Sequence, residues 1–141
     1  MSSYIQLHHH HFNFKKFVHR ALKEDVRDGD HTALATIPSL HRGKMQLLVK
    51  EEGILAGVEA AVEVFRLIDK SSVVKVLLKD GRRVKKGDIA FTIEGNTQKL
   101  LTGERLVLNI MQRMSGIATK TRQLQNLCKG TKAKVIDTRK T

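Results

Sequence analysis

The sequence of 141 residues is 40% hydrophobic and only 4% aromatic, and its formal net charge is +12. This length and apolar content are enough for one compact domain with a core, and no apolar run reaches the roughly 18 residues that a membrane-spanning helix needs. The N-terminus shows no secretory signal, and the single cysteine, Cys128, excludes an internal disulfide and indicates a reduced, cytoplasmic compartment.

The positive charge predicts an anionic partner: nucleic acid, a membrane surface or a polyanionic small molecule. Nucleic-acid-binding domains often add aromatic side chains for base stacking or a recognisable motif, and this sequence has neither. We therefore expect neither nucleic acid nor membrane as the partner. A basic module that binds nucleic acid or another anion remains the alternative, and its affinity should fall steeply with salt.

The first elements along the chain are a tail, a helix and an acidic turn. Residues 1–13 are predicted to be a flexible tail, in which His8–His11 is interpreted as a disordered segment or an expression scar rather than a metal site. Residues 14–25 have apolar side chains at helical spacing, and Asn13 is a good N-cap. The acidic segment 24–32 lacks the spacing of a calcium loop and is interpreted as a turn capped by Asp side chains.

The middle of the chain predicts a small sheet that carries one helix. Strands are expected over 45–51, 73–79 and 89–94, and a helix over 58–69. The segment 81–95, G-R-R-V-K-K-G-D-I-A-F-T-I-E-G, resembles lipoyl and biotinyl carrier modules in its turns and strands. Those modules carry a modified lysine on a hairpin tip, and no such hairpin follows here. The pattern therefore predicts a hammerhead-like sheet without a carrier function.

A long helical stretch over 99–129 precedes the last predicted strand. It is long for a globular helix, so we expect a break at Ser115-Gly116, because Gly costs about 1 kcal/mol in a helix interior. Residues 133–138 are predicted to form a strand that opens a second domain. The sequence thus predicts an α/β fold: a helix, a small sheet that carries a helix, a long helix, and then a strand that opens a second α/β domain.

The residues that could carry chemistry are cations rather than nucleophiles. The sequence has no phosphate-binding glycine loop, dinucleotide motif or zinc spacing, and no Ser-His or Cys-His pair is suggested. Arg139 and Lys140 follow the last predicted strand, at the end where open α/β sheets and barrels bind ligands, and they suit a carboxylate or a phosphate. Arg105 lies at the edge of the apolar face of the long helix. Its spacing is compatible with two interpretations: a structural residue whose charge is neutralised by Glu104, or a functional residue.

Four stretches, in the right order, resemble the quinolinate phosphoribosyltransferase family, also called nicotinate-nucleotide pyrophosphorylase (carboxylating). They are E-D-V-R-D-G-D-H-T at 24–32, K-E-E-G-I-L-A-G at 50–57, G-E-R-L-V-L-N-I-M-Q-R-M-S-G-I-A-T at 103–119 and D-T-R-K-T at 137–141. A related group associated with molybdenum transport shares the patterns of the last two stretches. The first two favour the biosynthetic enzyme.

The resemblance implies an N-terminal α+β sandwich domain over 14–113, packed against an incomplete α/β barrel whose first strand lies within 114–141. It also implies a homodimer whose active site uses residues of both subunits. It implies that quinolinate and phosphoribosyl diphosphate react, with Mg²⁺, to give nicotinate mononucleotide, diphosphate and CO₂ in de novo NAD biosynthesis. By motif match, Arg105 would reach the quinolinate carboxylates from the neighbouring subunit, and Thr138, Arg139 and Lys140 would line the same pocket.

The length of the chain departs from the family pattern. Family members continue past T-R-K-T into barrel strands that carry the ligands for the donor and the metal, so we assign no catalytic residue and no metal ligand within the 141 residues. We expect the chain to be a fragment or an incomplete enzyme, and to be inactive by itself.

Overall fold

The computed structural model describes residues 12–26 and 35–137 of the chain. The elements in these residues are helix α1 (Phe14–Val26), strands β1 (Arg42–Leu48) and β2 (Gly53–Ile54), helix α2 (Val58–Ile68), strands β3 (Val73–Val76), β4 (Arg83–Val84) and β5 (Ile89–Asn96), and helix α3 (Thr97–Leu127). The predicted histidine tail, residues 27–32 of the predicted acidic turn and residues 138–141 lie outside the described residues.

β5 is the central strand of a three-stranded antiparallel sheet in the order β1-β5-β3. Its apolar side chains alternate with polar ones, so Phe91 and Ile93 are buried on the inner face. The register with β1 places Met45 opposite Ile93 and Leu47 opposite Phe91, which extends the apolar inner face across both strands. This alternation confirms the half-buried strand predicted over 89–94.

Helices cover the inner face of this sheet and complete the core. The ring of Phe65 on α2 meets Phe91 on β5 edge to face, with centroids 6.3 Å apart. α2 and α1 both pack against α3, and α1 contributes Val18, which is 1% exposed. The buried apolar core consists of Val18, Leu55, Val58, Ala61, Val64, Phe65, Val84, Ala90, Phe91, Ile93, Leu100, Leu106, Val107 and Met111. One sheet packed against helices around this core confirms the predicted α/β class.

A second, two-stranded sheet pairs β2 with β4 in antiparallel register. The turn between β4 and β5 is closed by Asp88, whose Oδ2 accepts a hydrogen bond from the Lys85 N–H at 2.9 Å. Because β4 and β5 belong to different sheets, Lys85 and Lys86 lie on a connection between sheets and not on a hairpin tip. This arrangement differs from the carrier modules that the segment resembles.

The predicted helices near the N-terminus agree with the structure to within one residue at each end. The N-cap is also confirmed, because Asn13 Oδ1 accepts a hydrogen bond from the Lys16 N–H at 2.9 Å. β1 begins three residues before its predicted start at 45, since Gly43 and Lys44 pair with β5.

The predicted break at Ser115-Gly116 is wrong, because α3 continues through both residues to Leu127. The Ser115 hydroxyl is hydrogen-bonded to the backbone of Ala56, so the helix gains tertiary contacts that offset the propensity cost of Gly116. The predicted domain boundary after residue 113 would therefore fall inside a continuous helix, and it stays a prediction.

The strand predicted over 133–138 is wrong in its described part. Residues 133–137 have no regular secondary structure, and the side chain of Ile136 is 82% exposed. A strand needs a neighbour that accepts and donates its ladder hydrogen bonds, and no strand of the described chain is paired with these residues. An apolar sequence pattern alone does not supply that neighbour.

Candidate anion-binding site

Arg105 lies in the third turn of α3 and projects into solvent. Its side chain is 74% exposed, and its Nη1 lies 3.3 Å from Oδ1 of Asp25 near the end of α1. The alternative in which Glu104 neutralises Arg105 is therefore not what the structure shows, since the ion pair of Arg105 within the described residues is with Asp25. Within the described residues this is the one contact of the guanidinium, so its other N–H groups have no protein acceptor there and can donate to an anion.

The packing of α3 determines why Arg105 faces outward. Leu100, Gly103, Leu106, Val107 and Met111 are the buried residues of this helix, and they lie on its other faces. At Gly103 the two helices approach closely, because a Cβ there would stand 2.7 Å from Ile68 Cδ1 and 3.3 Å from Phe65 Cε1 on α2, and these side chains would have to shift. The close approach of α2 and α3 therefore fixes the rotation of α3 and with it the direction of Arg105.

Arg105 begins an exposed polar row along α3. Asn109 and Arg113 follow it at intervals of four residues and are exposed, so the three side chains share one face of the helix. Among the described residues, Arg113 has no ion-pair partner within 4.0 Å. Two arginines on one solvent-facing surface can attract an anionic ligand, and only the first of them is held by a carboxylate of its own chain.

The other predicted site residues, Thr138, Arg139 and Lys140, lie outside the described residues. The structure therefore does not bring Arg105 together with them, and their roles stay predictions.

Two of the sequence stretches that carry the family resemblance are joined in space. The segment that contains β2 lies against α3, where Thr119 Oγ1 accepts a hydrogen bond from the Ile54 N–H at 2.8 Å. The Ser115 hydroxyl accepts from the Ala56 N–H at 3.0 Å and donates to the Ala56 carbonyl at 3.1 Å. Gly53 is required at this contact, because a Cβ would lie 2.6 Å from Thr119 Oγ1. The sequence pattern did not predict this contact, although the hydroxyl residues Ser115 and Thr119 are four positions apart and therefore share one face of the helix.

Asp69 is the one buried charged residue of the described chain, at 3% exposure. Burial alone would raise the pKa of its carboxyl, but the pKa is lowered because the Asn96 N–H, the Ser71 hydroxyl and the Ser71 N–H donate to it and Lys99 lies nearby. Lys99 Nζ stands 3.8 Å from Asp69 Oδ1. These contacts tie the turn after α2 to the start of α3, so Asp69 is a structural carboxylate.

A groove of about 210 Å³ opens between β1 and α3. Its walls are mainly apolar, with polar groups contributed by Gln46, Lys50 and Glu104. Such a lining does not match a dicarboxylate or a polyphosphate, which need converging cations. The groove is therefore not assigned to either substrate.

Over 12–26 and 35–137, no three His, Cys, Asp or Glu side chains come together in a way that could hold a metal ion. In the same part of the chain, none of the helices combines the length and apolar character needed to cross a bilayer.

Comparison with known proteins places this geometry in a family. The family described as "Quinolinate phosphoribosyl transferase, N-terminal domain" matches residues 30–115. The chain belongs to the quinolinate phosphoribosyltransferase family. The matched region ends at Ser115, so it contains Arg105 and most of the packed part of α3.

Curated members of the family align over most of the chain. A protein of Arabidopsis thaliana named nicotinate-nucleotide pyrophosphorylase [carboxylating], chloroplastic, is 40% identical over 131 residues, which are 92% of this chain and 37% of that protein. A protein of Synechocystis with the name probable nicotinate-nucleotide pyrophosphorylase [carboxylating] is 38% identical over 120 residues, covering 85% of this chain and 40% of that protein. The chain thus spans well under half the length of these relatives.

Solved structures of the family share the fold. NadC from Streptococcus pyogenes superposes with a TM-score of 0.87 and 36% identity, over 92% of this chain and 46% of that one. The nicotinate-nucleotide pyrophosphorylase from Ehrlichia chaffeensis gives a TM-score of 0.84 and 32% identity, over 93% of this chain and 48% of that one. These matches confirm the predicted fold class and family resemblance.

Proposed function

We propose that the chain supplies the N-terminal domain of an enzyme that transfers the phosphoribosyl group of phosphoribosyl diphosphate to quinolinate. Decarboxylation would accompany the transfer and give nicotinate mononucleotide, diphosphate and CO₂, in de novo NAD biosynthesis. The observation that carries the proposal is the family match over residues 30–115. The names of the similar proteins favour this activity over that of the molybdenum-associated relatives.

Arg105 is the residue of the described chain to which we give a role in this reaction. Quinolinate is a dicarboxylate, and a planar guanidinium can bind a carboxylate through two N–H groups. We propose that Arg105 binds quinolinate in the active site of a neighbouring subunit, together with that subunit's Thr138, Arg139 and Lys140. Its 74% exposure and its position on an outward helix face support this role.

The shared site works by binding and orienting the reactants. Cations at the quinolinate carboxylates would hold the pyridine nitrogen toward the ribosyl carbon and offset the negative charge of both substrates. Mg²⁺ would accompany the polyphosphate. The described residues offer no cluster for it, so none of them is assigned to the metal.

The proposal is tested with purified full-length protein, quinolinate, phosphoribosyl diphosphate and Mg²⁺. Formation of nicotinate mononucleotide with release of CO₂ is expected, and Arg139→Ala should weaken quinolinate binding by about 2 kcal/mol or more, because a carboxylate loses its partner. A wild-type protein that consumes neither substrate would refute the proposed activity. An Arg139→Ala enzyme with unchanged kcat and quinolinate KM would refute the assignment of that residue.

The two-subunit site has its own test by mixing inactive variants. Homodimers of either Arg105→Ala or Arg139→Ala should be nearly inactive. In a dimer that contains one subunit of each variant, one of the two sites has both arginines intact and the other has neither. When equal amounts of the two variants exchange subunits freely, about half of the dimers are mixed, so about a quarter of all sites should regain activity in an isologous dimer. Exchange without recovery would show that both residues serve the same subunit's site.

The cellular compartment also remains a proposal. The single cysteine favours a reduced compartment, for which we propose the cytoplasm. The names of similar plant proteins include chloroplastic and mitochondrial ones.

A further inference from the structure

An ion pair connects two helices beside the proposed substrate-binding arginine. Asp25 lies in the last turn of α1 and Arg105 in the third turn of α3, and the two side chains meet at 3.3 Å. The side chain of Asp25 is 29% exposed, whereas that of Arg105 is 74% exposed. The carboxylate is therefore the more shielded and more restrained partner of the pair.

The position of Asp25 is fixed by the packing of α1. Val18 on this helix is 1% exposed, and Phe14, Ala21 and Leu22 pack against the same core. These residues recur at helical spacing and hold one face of α1 against the body of the domain. Asp25 is thus presented to α3 by a helix whose apolar face is packed on the core.

A carboxylate at this place is unfavourable for α1 itself. The C-terminal end of a helix carries partial negative charge, so an acidic residue in the last turn is repelled by its own helix. Arg105 supplies the compensating positive charge. Glu104, adjacent in sequence, lines the groove between β1 and α3 and does not make this contact. The placement of Asp25 is therefore explained by its partner and not by helix formation.

We propose that Asp25 is a positioning residue for substrate binding, which rests on the proposed function of Arg105. The carboxylate holds one terminal nitrogen, Nη1, and so restricts the rotation of the guanidinium. The remaining N–H donors then face outward, toward the carboxylate of a dicarboxylic substrate in the neighbouring subunit. An exposed ion pair contributes little to folding, but a restrained arginine loses less conformational entropy when its ligand binds.

The experiment measures substrate kinetics of full-length Asp25→Asn. We expect the KM for quinolinate to rise about five- to tenfold, the effect typical of losing one charge-assisted hydrogen bond. The KM for phosphoribosyl diphosphate and the thermal unfolding midpoint should remain at the wild-type values. Asp25→Glu, which keeps the charge, should recover part of the quinolinate affinity. Glu24→Gln, one residue away and exposed, is the matched control and should behave as wild type.

A double variant separates positioning from a general effect. If Asp25 acts through Arg105, adding Asp25→Asn to Arg105→Ala should change the quinolinate dissociation constant, measured by direct binding, no further. Additive effects, an unchanged quinolinate KM in Asp25→Asn, or parallel losses for both substrates with a lower unfolding midpoint would each overturn the inference. A wild-type enzyme that does not use quinolinate would instead overturn the proposed function, and this inference with it.

Discussion

The two halves of α3 have different environments although they form one continuous helix. In the first half, Leu100 and Val107 are 1% and 2% exposed and lie in the core. In the second half, Ile117 and Leu127 are 64% and 80% exposed, and the hydroxyl groups of Ser115 and Thr119 make hydrogen bonds to the rest of the domain. Apolar residues at helical spacing therefore predict a helix and its face, but not whether that face is covered.

The difference has a physical basis in what each half can pack against. The sheet, α1 and α2 surround the first half, whereas the second half has β2 and its connection to α2 as its neighbours in the described chain. An exposed apolar surface of this kind is typical of an interface. The first half should therefore control the stability of the domain, and the second half should contribute through a few specific hydrogen bonds.

The largest expected effect comes from matched leucine truncations in the two halves. Leu100→Ala should lower the free energy of unfolding by about 2–5 kcal/mol, because it removes buried methyl groups and leaves a cavity. Leu127→Ala, in the same helix, should change it by no more than about 0.5 kcal/mol. Urea denaturation of both variants measures the difference. Equal losses would mean that the second half is as well packed as the first.

A smaller effect is expected at the start of α3, where Asp69 accepts hydrogen bonds. Asp69→Asn should cost about 1–3 kcal/mol near neutral pH, because buried donors lose a charged acceptor. The pKa of Asp69 is lowered from an ordinary value near 3.8, so its ionised form is favoured in the native state. Its stabilisation is then present above that ordinary pKa and is lost as the pH falls through the lowered native value.

The measurement for Asp69 is urea denaturation at a series of pH values. The difference between wild type and Asp69→Asn should shrink on acidification below the ordinary pKa. Glu63→Gln, an exposed acid on α2, is the control and should stay within about 0.5 kcal/mol of wild type near neutral pH. A gap between wild type and Asp69→Asn that widens in acid would contradict the stated sign.

The smallest effect concerns the hydrogen bonds of the second half. Thr119→Val keeps the side-chain shape but leaves the Ile54 N–H without its acceptor, so we expect a loss of about 1 kcal/mol in the free energy of unfolding. Thr121→Val is the control, since Thr121 lies on the same helix and its hydroxyl makes no hydrogen bond within the described residues. Indistinguishable denaturation curves for the two variants would remove the proposed role of Thr119.

Much of the fold could be predicted because its signals are local. The helical spacing after Asn13 and the alternation along 89–94 each lie within one element, and the structure confirms both. The two-residue strands β2 and β4 could not be predicted, because so short a segment shows no periodicity. The break expected at Ser115-Gly116 failed for a different reason: contacts with residues about 60 positions earlier outweigh the local preference.

The candidate site was predictable in its chemistry but not in its contacts. Arg105 was identified as a cation at the edge of an apolar face, and its exposure agrees with that position. Its partner Asp25 lies 80 residues away in sequence, and no local pattern connects the two. The neighbouring Glu104 was the obvious partner by sequence, but in a helix adjacent residues point in different directions.

The edge strand β3 carries a consequence for the solubility of the domain. β3 lies at one side of the three-stranded sheet, and its sequence V-V-K-V continues into Leu77 and Leu78. Val73, Val76 and Leu77 are substantially exposed, so Lys75 is the charge that interrupts an otherwise apolar run. A lysine on an edge strand discourages the strands of other molecules from adding to the sheet. We therefore expect Lys75 to protect the domain against aggregation, a role that does not depend on ligand binding.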